Sequence, residues 1–85
     1  CVASSAGVEL HTDIHRLTLR PLTRGAIESY VQRDQPLDCA GAYKIESLGI
    51  SLMQKIEGDD FTAITGLPLI ATTQMLANAG INVLA

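Results

Sequence analysis

Apolar and polar residues alternate near the start of the chain. Val8, Leu10 and Ile14 fall on one side of an extended segment, and the residues on its other side are polar: Glu9, His11, Asp13 and His15. This period of two is typical of a strand with one buried face. We therefore predict an antiparallel hairpin in which strand 1–3 pairs with strand 8–20 across a turn of serine and glycine residues.

The apolar positions change sides beyond Ile14. Leu17 and Leu19 have the opposite parity, which predicts either a bulge near residues 15–16 or a strand whose two faces exchange environments. Pro21 should end this strand, because proline has no N–H to donate to a strand ladder.

A helix is predicted over residues 24–33. Thr23 is a suitable N-cap, and the apolar residues that follow recur at helical spacing: Ala26, Ile27, Tyr30 and Val31. Leu22 and Ile27 have the spacing of a hydrophobic staple around that cap. The helix should end before Pro36, since the residue preceding a proline is pushed away from the helical region.

The rest of the chain alternates between irregular and regular segments. Residues 37–49 have no clear period and are predicted to form a loop with short extended pieces. The segment starting at Ile50 is predicted to be a further strand, and an aspartate after it can cap a short helical turn. A last helix should begin after Pro68 and end at Gly80. The pattern predicts a mixed α/β (α+β) structure in one unit, residues 1–85.

Composition and charge narrow the classes of function. The 85 residues are 47% hydrophobic and 18% charged, which is typical of a globular rather than a disordered segment. Six basic residues are scattered among nine acidic ones, for a net charge of −3, so binding to a nucleic-acid polymer is not expected. No apolar run reaches the ~20 residues of a membrane-spanning helix. We expect no membrane partner and a cytoplasmic location.

The two cysteines, Cys1 and Cys39, are predicted to be free thiols, because one pair is far below the density of a disulfide scaffold. They also lack the close Cys/His spacing of a zinc site. The chain starts at Cys1 in an apolar stretch that has the pattern of the end of a strand, and we expect it to be a fragment of a longer protein.

Three potential metal ligands, His11, Asp13 and His15, fall on one face of the first predicted strand. Alternate residues of a strand lie ~6.5–7 Å apart, so all three could surround one ion only across a bend. A solvated polar face is the favoured interpretation. The glycine-rich patterns of P-loop and dinucleotide-binding sites are absent. The residues taken singly leave the function open.

Two blocks of sequence are more informative together. Residues 35–47 read Gln-Pro-Leu-Asp-Cys-Ala-Gly-Ala-Tyr-Lys-Ile-Glu-Ser, and residues 65–68 read Thr-Gly-Leu-Pro. In this order and spacing the blocks resemble the Maf family, whose C-terminal half carries a Glu-Pro-x-Asp-Lys-Ala-Gly-Ala-Tyr-like block and a later Gly-Leu-Pro. The resemblance covers essentially all 85 residues. It implies the C-terminal lobe of a single Maf-like, ITPase-like domain.

The resemblance implies an enzyme that hydrolyses nucleoside triphosphates to the monophosphate and diphosphate, with Mg²⁺ or Mn²⁺ as cofactor. Such chemistry needs positive charge around the phosphates and a carboxylate that orients water. In the family these groups lie in the N-terminal half, in a Ser-x-Arg segment and at a later Asp with nearby lysines. The resemblance therefore implies no catalytic residue and no metal ligand in this chain, and an inactive fragment. Homodimerisation is left open.

Glu46 is the candidate specificity residue. Lys44-Ile45-Glu46-Ser47 replaces the Gly-Ile-Gln-Gly of members that act on dTTP and UTP, and Cys39 stands where many members have Lys. This combination looks like the subgroup that hydrolyses 7-methyl-GTP. A carboxylate offers two acceptors to the N1–H and N2–H₂ donors of guanine, and N7 methylation makes the base cationic. The alternative is an exposed acid without a role.

The neighbours of Glu46 have weaker signals. Tyr43 could pack against the base or in the core, and Lys44 could approach a phosphate or remain solvated. Further residues are interpreted as shaping the backbone: Pro36, Asp38, Gly41, Gly66 and Pro68. A second hypothesis for the whole segment is a structural or dimer-forming lobe without direct substrate recognition.

Overall fold

The computed structural model describes residues 1–85 and divides them into two units. The terminal unit consists of Cys1–His15 with Gly58–Ala85, and the central unit of Arg16–Glu57. Four short strands, three α-helices and three 3₁₀ turns make up the chain. The predicted mixed α/β class is therefore confirmed.

In the terminal unit, Val2–Ser4 (β1) and Gly7–Glu9 (β2) form an antiparallel hairpin. Gly7 has a φ of 130°, a value at which glycine is strongly favoured. The backbone N–H of Ala6 donates to Ser4 Oγ at 3.2 Å and closes the turn. The first predicted strand and its turn are confirmed to within one residue.

The central unit contains the second strand pair. Arg16–Leu19 (β3) runs antiparallel to Met53–Glu57 (β4). The predicted continuous strand 8–20 is wrong, because residues 10–15 belong to no strand. The buried face predicted for it is wrong as well, because Val8, Leu10 and Ile14 are 64%, 79% and 74% exposed. Alternation in a sequence does not show which partner covers a strand or supplies its backbone hydrogen bonds.

The change of parity beyond Ile14 has a structural explanation. It falls in residues 10–15, between β2, which pairs with β1, and β3, which pairs with β4, so Val8 belongs to one strand pair and Leu17 and Leu19 to the other. The predicted bulge near residues 15–16 is not found, and the irregular register lies between Thr18 and Leu19 instead.

The first long helix, Arg24–Asp34 (α1), agrees with the prediction to within one residue. Thr23 is its N-cap, and its hydroxyl oxygen accepts a 3.1 Å hydrogen bond from the backbone N–H of Ala26. The helix ends at Gln35, which has left-handed backbone angles (φ 47°, ψ 55°). Pro36 follows and cannot continue the hydrogen-bonding pattern.

The segment after α1 forms 3₁₀ turns at Pro36–Asp38, Ala40–Ala42 and Leu48–Leu52. The prediction of short extended pieces here is wrong, and β4 begins at Met53 rather than at Ile50. Pro36 occupies the first position of the first turn, where its fixed φ favours a helical start.

Two helices complete the terminal unit, Thr62–Thr65 (α2) and Leu69–Asn78 (α3). Pro68 precedes α3, as predicted. At its other end, Gly80 has a φ of 95°, and the N–H of Ile81 donates to the Leu76 carbonyl at 2.8 Å. This is the bonding pattern of a glycine-terminated helix, so the predicted end of the last helix is confirmed.

Few apolar side chains are buried. Tyr30 and Met53 are buried in the central unit and Met75 in the terminal unit, each less than 8% exposed, and Pro36 is fully buried. None of the helices has both the length and the apolar character needed to cross a membrane.

Candidate functional site

The candidate specificity residue lies on a tight turn of the central unit, residues 44–49. The Lys44 carbonyl oxygen accepts backbone hydrogen bonds from Ser47 at 3.1 Å and from Gly49 at 2.8 Å. Gly49 is buried, and a Cβ atom built on it would overlap the Lys44 carbonyl group. Only glycine therefore fits at position 49, and its absence of a side chain allows the turn to close.

Two buried polar side chains of α1 hold this turn. The Tyr30 hydroxyl oxygen accepts a 2.7 Å hydrogen bond from the backbone N–H of Lys44. The two carboxylate oxygens of Asp34 accept one bond from the Ser47 hydroxyl and one from the Leu48 backbone N–H, both at 3.0 Å. Tyr30 is 7% exposed and Asp34 is 8% exposed. Sequence reasoning assigned no role at the site to either residue.

Glu46 is exposed on the 44–49 turn, and none of the hydrogen bonds that hold the turn uses its carboxylate. Both carboxylate oxygens are therefore available to a ligand. Lys44, at the start of the turn, is half-buried and makes no ion pair.

Tyr43 is half-buried and lines an apolar groove of about 390 Å³ in the central unit. Gly41 lines the same groove, and Glu46 does not. Gly41 has a φ of 71°, and a Cβ atom there would lie 2.8 Å from the Tyr43 ring. The close approach of the backbone to this ring explains why glycine suits position 41.

The Cys39 thiol lies in the electrostatic field of the candidate residues. Burial raises its pKa most, and Asp38 raises it further through a thiol-to-carboxylate hydrogen bond of 3.6 Å. The positive charge of Lys44 lowers the same pKa and the negative charge of Glu46 raises it. Cys39, Lys44 and Glu46 therefore share one neighbourhood.

The other residues interpreted as shaping the backbone are divided between the units. In the central unit, Pro36 is fully buried, and the Asp38 carboxylate accepts from Cys39 rather than from the backbone around Gly41. Gly66 and Pro68 belong to the terminal unit. Gly66 follows α2 with a φ of 148°, and the Pro68 carbonyl accepts the first backbone bond of α3.

The terminal unit has its own concavity, of about 510 Å³, with several acidic residues in its wall. His11 and Asp13 line it, and the Asp13 carboxylate oxygens lie 3.3 Å from His11 Nε2 and 2.9 Å from His15 Nδ1. His15 Nε2 is buried and has no partner.

These groups do not fit a divalent cation. No group of three or more His, Cys, Asp or Glu side chains in the chain is arranged to hold a metal ion.

The fold and the two sequence blocks agree with one protein family. A family model described as "Maf-like protein" matches residues 1–79. The chain belongs to the Maf-like protein family.

Curated relatives carry a more specific name. The "7-methyl-GTP pyrophosphatase" of Syntrophotalea carbinolica is 54% identical over 70 residues, which is 82% of this chain and 36% of that protein. The protein of the same name from Bdellovibrio bacteriovorus is 52% identical over 81 residues, covering 95% of this chain and 43% of that protein. The protein of this name from Methylobacillus flagellatus is 41% identical over 86 residues, covering 99% of this chain and 45% of that protein. The chain thus spans less than half the length of these relatives.

Proposed function

We propose that the chain is the base-reading part of a nucleoside triphosphate pyrophosphatase that acts on 7-methyl-GTP. One observation carries the proposal: Glu46 presents a carboxylate without partners on a turn held by buried hydrogen bonds. The name shared by the similar proteins from three organisms supports the same substrate.

The chemistry of Glu46 suits a guanine base. An ionised carboxylate has only acceptors and can take the adjacent N1–H and N2–H₂ donors in two parallel bonds. Methylation at N7 gives the base a positive charge, which the carboxylate favours further. A glutamine in this place would offer one donor and one acceptor, which matches uracil or thymine instead.

Two neighbours of Glu46 complete the proposed site. The ring of Tyr43 at the apolar groove offers a face for stacking, and a cationic base gains from contact with an aromatic ring. Lys44 supplies a positive charge in the neighbourhood of Glu46, suited to a phosphate oxygen.

The proposed reaction is hydrolysis of the bond between the α- and β-phosphates, giving 7-methyl-GMP and diphosphate. A divalent cation, Mg²⁺ or Mn²⁺, supplies charge neutralisation in such reactions, but the residues of this chain do not fit one. We propose that these residues contribute recognition, and that the 85-residue chain by itself has no hydrolytic activity.

The decisive experiment compares the full-length enzyme with its Glu46→Gln variant on 7-methyl-GTP, GTP, UTP and dTTP. We expect the variant to lose roughly tenfold or more of its kcat/KM for 7-methyl-GTP relative to UTP, since a charged hydrogen bond is lost and an unmatched donor is gained. Glu28→Gln is the matched control, because Glu28 is exposed on α1 and pairs only with Arg24. An unchanged order of substrate preference in Glu46→Gln would remove Glu46 from the site.

A second candidate function is a packing lobe without substrate contact. Large apolar side chains at the surface of the central unit favour it, such as Leu37 at 82% exposed and Ile50 at 53%, since extended apolar surface is usually covered. Titration of 7-methyl-GMP into the full-length enzyme separates the candidates. A loss of affinity in Glu46→Gln supports base reading, and equal affinity supports the packing lobe.

A further inference from the structure

We propose that Tyr30 and Asp34 are positioning residues that fix Glu46 for base readout through the backbone of the 44–49 turn. This inference rests on the proposed function, because it concerns how the same carboxylate is held. It assigns a part in substrate selectivity to two residues of a helix whose pattern alone indicates only packing.

The hydrogen bonds lie on both sides of Glu46. Tyr30 holds the backbone N–H of Lys44, two residues before it. Asp34 holds the side chain of Ser47 and the backbone N–H of Leu48, immediately after it. The backbone that carries Glu46 is therefore fixed at both ends by a single helix.

The spacing of Tyr30 and Asp34 along α1 allows both side chains to reach the 44–49 turn. Positions 30 and 34 are four residues apart, so their side chains lie on the same face of α1. The Asp34 carboxylate is close enough to the Tyr30 hydroxyl to contribute, after burial, to a raised pKa of the tyrosine.

Burial makes these bonds effective. A buried carboxylate is costly unless it is hydrogen-bonded, and both oxygens of Asp34 have partners in the turn. If the turn moved away, the buried Asp34 carboxylate would lose both hydrogen bonds. The ordered position of the turn is therefore favoured. Two-point recognition of a base requires the carboxylate to be placed within about 0.5 Å, which an exposed side chain on a free loop does not achieve.

The test uses the full-length enzyme and the ratio of kcat/KM for 7-methyl-GTP to that for UTP, because GTP presents the same N1–H and N2–H₂ donors as 7-methyl-GTP. Tyr30→Phe and Asp34→Asn each remove a tether with little change in shape, and Ser47→Ala removes one from the exposed side of the turn. We expect each to lower the ratio about three- to tenfold, the range of one hydrogen bond. The change should appear in KM, with kcat kept within about twofold.

Matched variants separate positioning from general stability. Ser47→Thr keeps the hydroxyl and should retain the wild-type ratio, and Gln32→Ala changes an exposed residue of the same helix and should also retain it. Equal losses on both substrates in the tether variants would assign Tyr30 and Asp34 to stability alone and overturn the inference. Should Asp34→Asn fail to fold, Ser47→Ala still gives the answer.

The Glu46→Gln background distinguishes this inference from the proposed function. Once the Glu46 carboxylate is replaced, Ser47→Ala should have no further effect on the ratio. The effects of two residues that act through the same interaction do not add. An independent further loss would contradict positioning. If Glu46→Gln itself leaves the ratio unchanged, the proposed function fails; if Glu46→Gln lowers it and the tether variants do not, only the positioning role fails.

Discussion

The Asp60 carboxylate accepts a 3.0 Å hydrogen bond from the backbone N–H of Ile70, ten residues further along the chain. Its other oxygen accepts from both the hydroxyl and the backbone N–H of Thr62. Asp60 is only 5% exposed. One buried carboxylate thus joins the start of α2 to the first turn of α3. These bonds lower the pKa of Asp60 from its ordinary value of 3.8, and the bond from the Thr62 hydroxyl is the largest cause.

The lowered pKa of Asp60 predicts a loss of stability in acid. Since the carboxyl binds its proton less readily in the folded state than in the unfolded state, its contribution is complete well above pH ~4 and is lost as the pH falls through the folded-state pKa. Asp60→Asn should therefore be less stable near neutral pH and lose less stability than the wild type between about pH 6 and pH 3. Urea unfolding across this range measures both effects.

Asp59→Asn is the control for this prediction. Asp59 is exposed, neighbours Asp60 and accepts no hydrogen bond, so its replacement should leave the pH dependence of unfolding as in the wild type. The explanation is contradicted if Asp60→Asn and Asp59→Asn show the same dependence.

Glycine-to-alanine changes at two positions of the central unit should have opposite effects. Gly49→Ala forces a methyl group against the Lys44 carbonyl, and we expect it to destabilise by about 1–3 kcal/mol. Gly25→Ala, in the first turn of α1, meets no atom within 4 Å and should stabilise by about 0.5–1 kcal/mol, because alanine loses less backbone freedom in a helix. Urea unfolding of the two variants compares the signs directly.

Local signals were sufficient to predict both long helices. Thr23 before α1 and Pro36 after it mark the ends through side-chain capping and steric exclusion within a few residues. Pro68 and Gly80 do the same for α3. Each of these effects acts within one turn of chain, so it is visible in the sequence.

Strand pairing could not be predicted in this way. The partner of β3 is β4, more than thirty residues away, and alternation carries no information about such a partner. The hydrogen bonds from Tyr30 and Asp34 to the 44–49 turn were not predicted for a related reason. In the sequence, Tyr30 fits the apolar stripe of the helix, and Asp34 fits a position at the end of the helix. The available signal was the four-residue spacing of two polar groups on one helix face, just before the block of residues 35–47.

The N-cap of α1 should contribute measurably to stability. Thr23→Ala removes the acceptor of the 3.1 Å bond from Ala26 N–H, and we expect a loss of about 1 kcal/mol in the free energy of unfolding. Thr23→Ser keeps the hydroxyl and should stay close to the wild type. Urea unfolding at neutral pH gives both values, and equal stabilities of the alanine and serine variants would argue against a capping role.

The reactivity of Cys39 should report the charges around Glu46 without any substrate. Only the thiolate is alkylated, so below the thiol pKa the rate follows that pKa. Because Asp38 and Glu46 raise the pKa of Cys39 and Lys44 lowers it, Asp38→Asn and Glu46→Gln should react faster than the parent, and Lys44→Gln more slowly. A change of one pKa unit corresponds to roughly tenfold in thiolate, so the direction of each pKa change appears directly in the labelling rate.

The measurement is the rate of iodoacetamide labelling at several pH values, followed by mass spectrometry in a Cys1→Ser background so that Cys39 is the thiol observed. Glu28→Gln removes an equal charge from α1 and should leave the rate unchanged, since Glu28 does not act on this thiol. If Glu46→Gln and Glu28→Gln label at the same rate, the carboxylate of Glu46 lies too far from Cys39 to act on its thiol. A faster rate in Glu46→Gln alone would show that the Glu46 charge raises the pKa of this thiol.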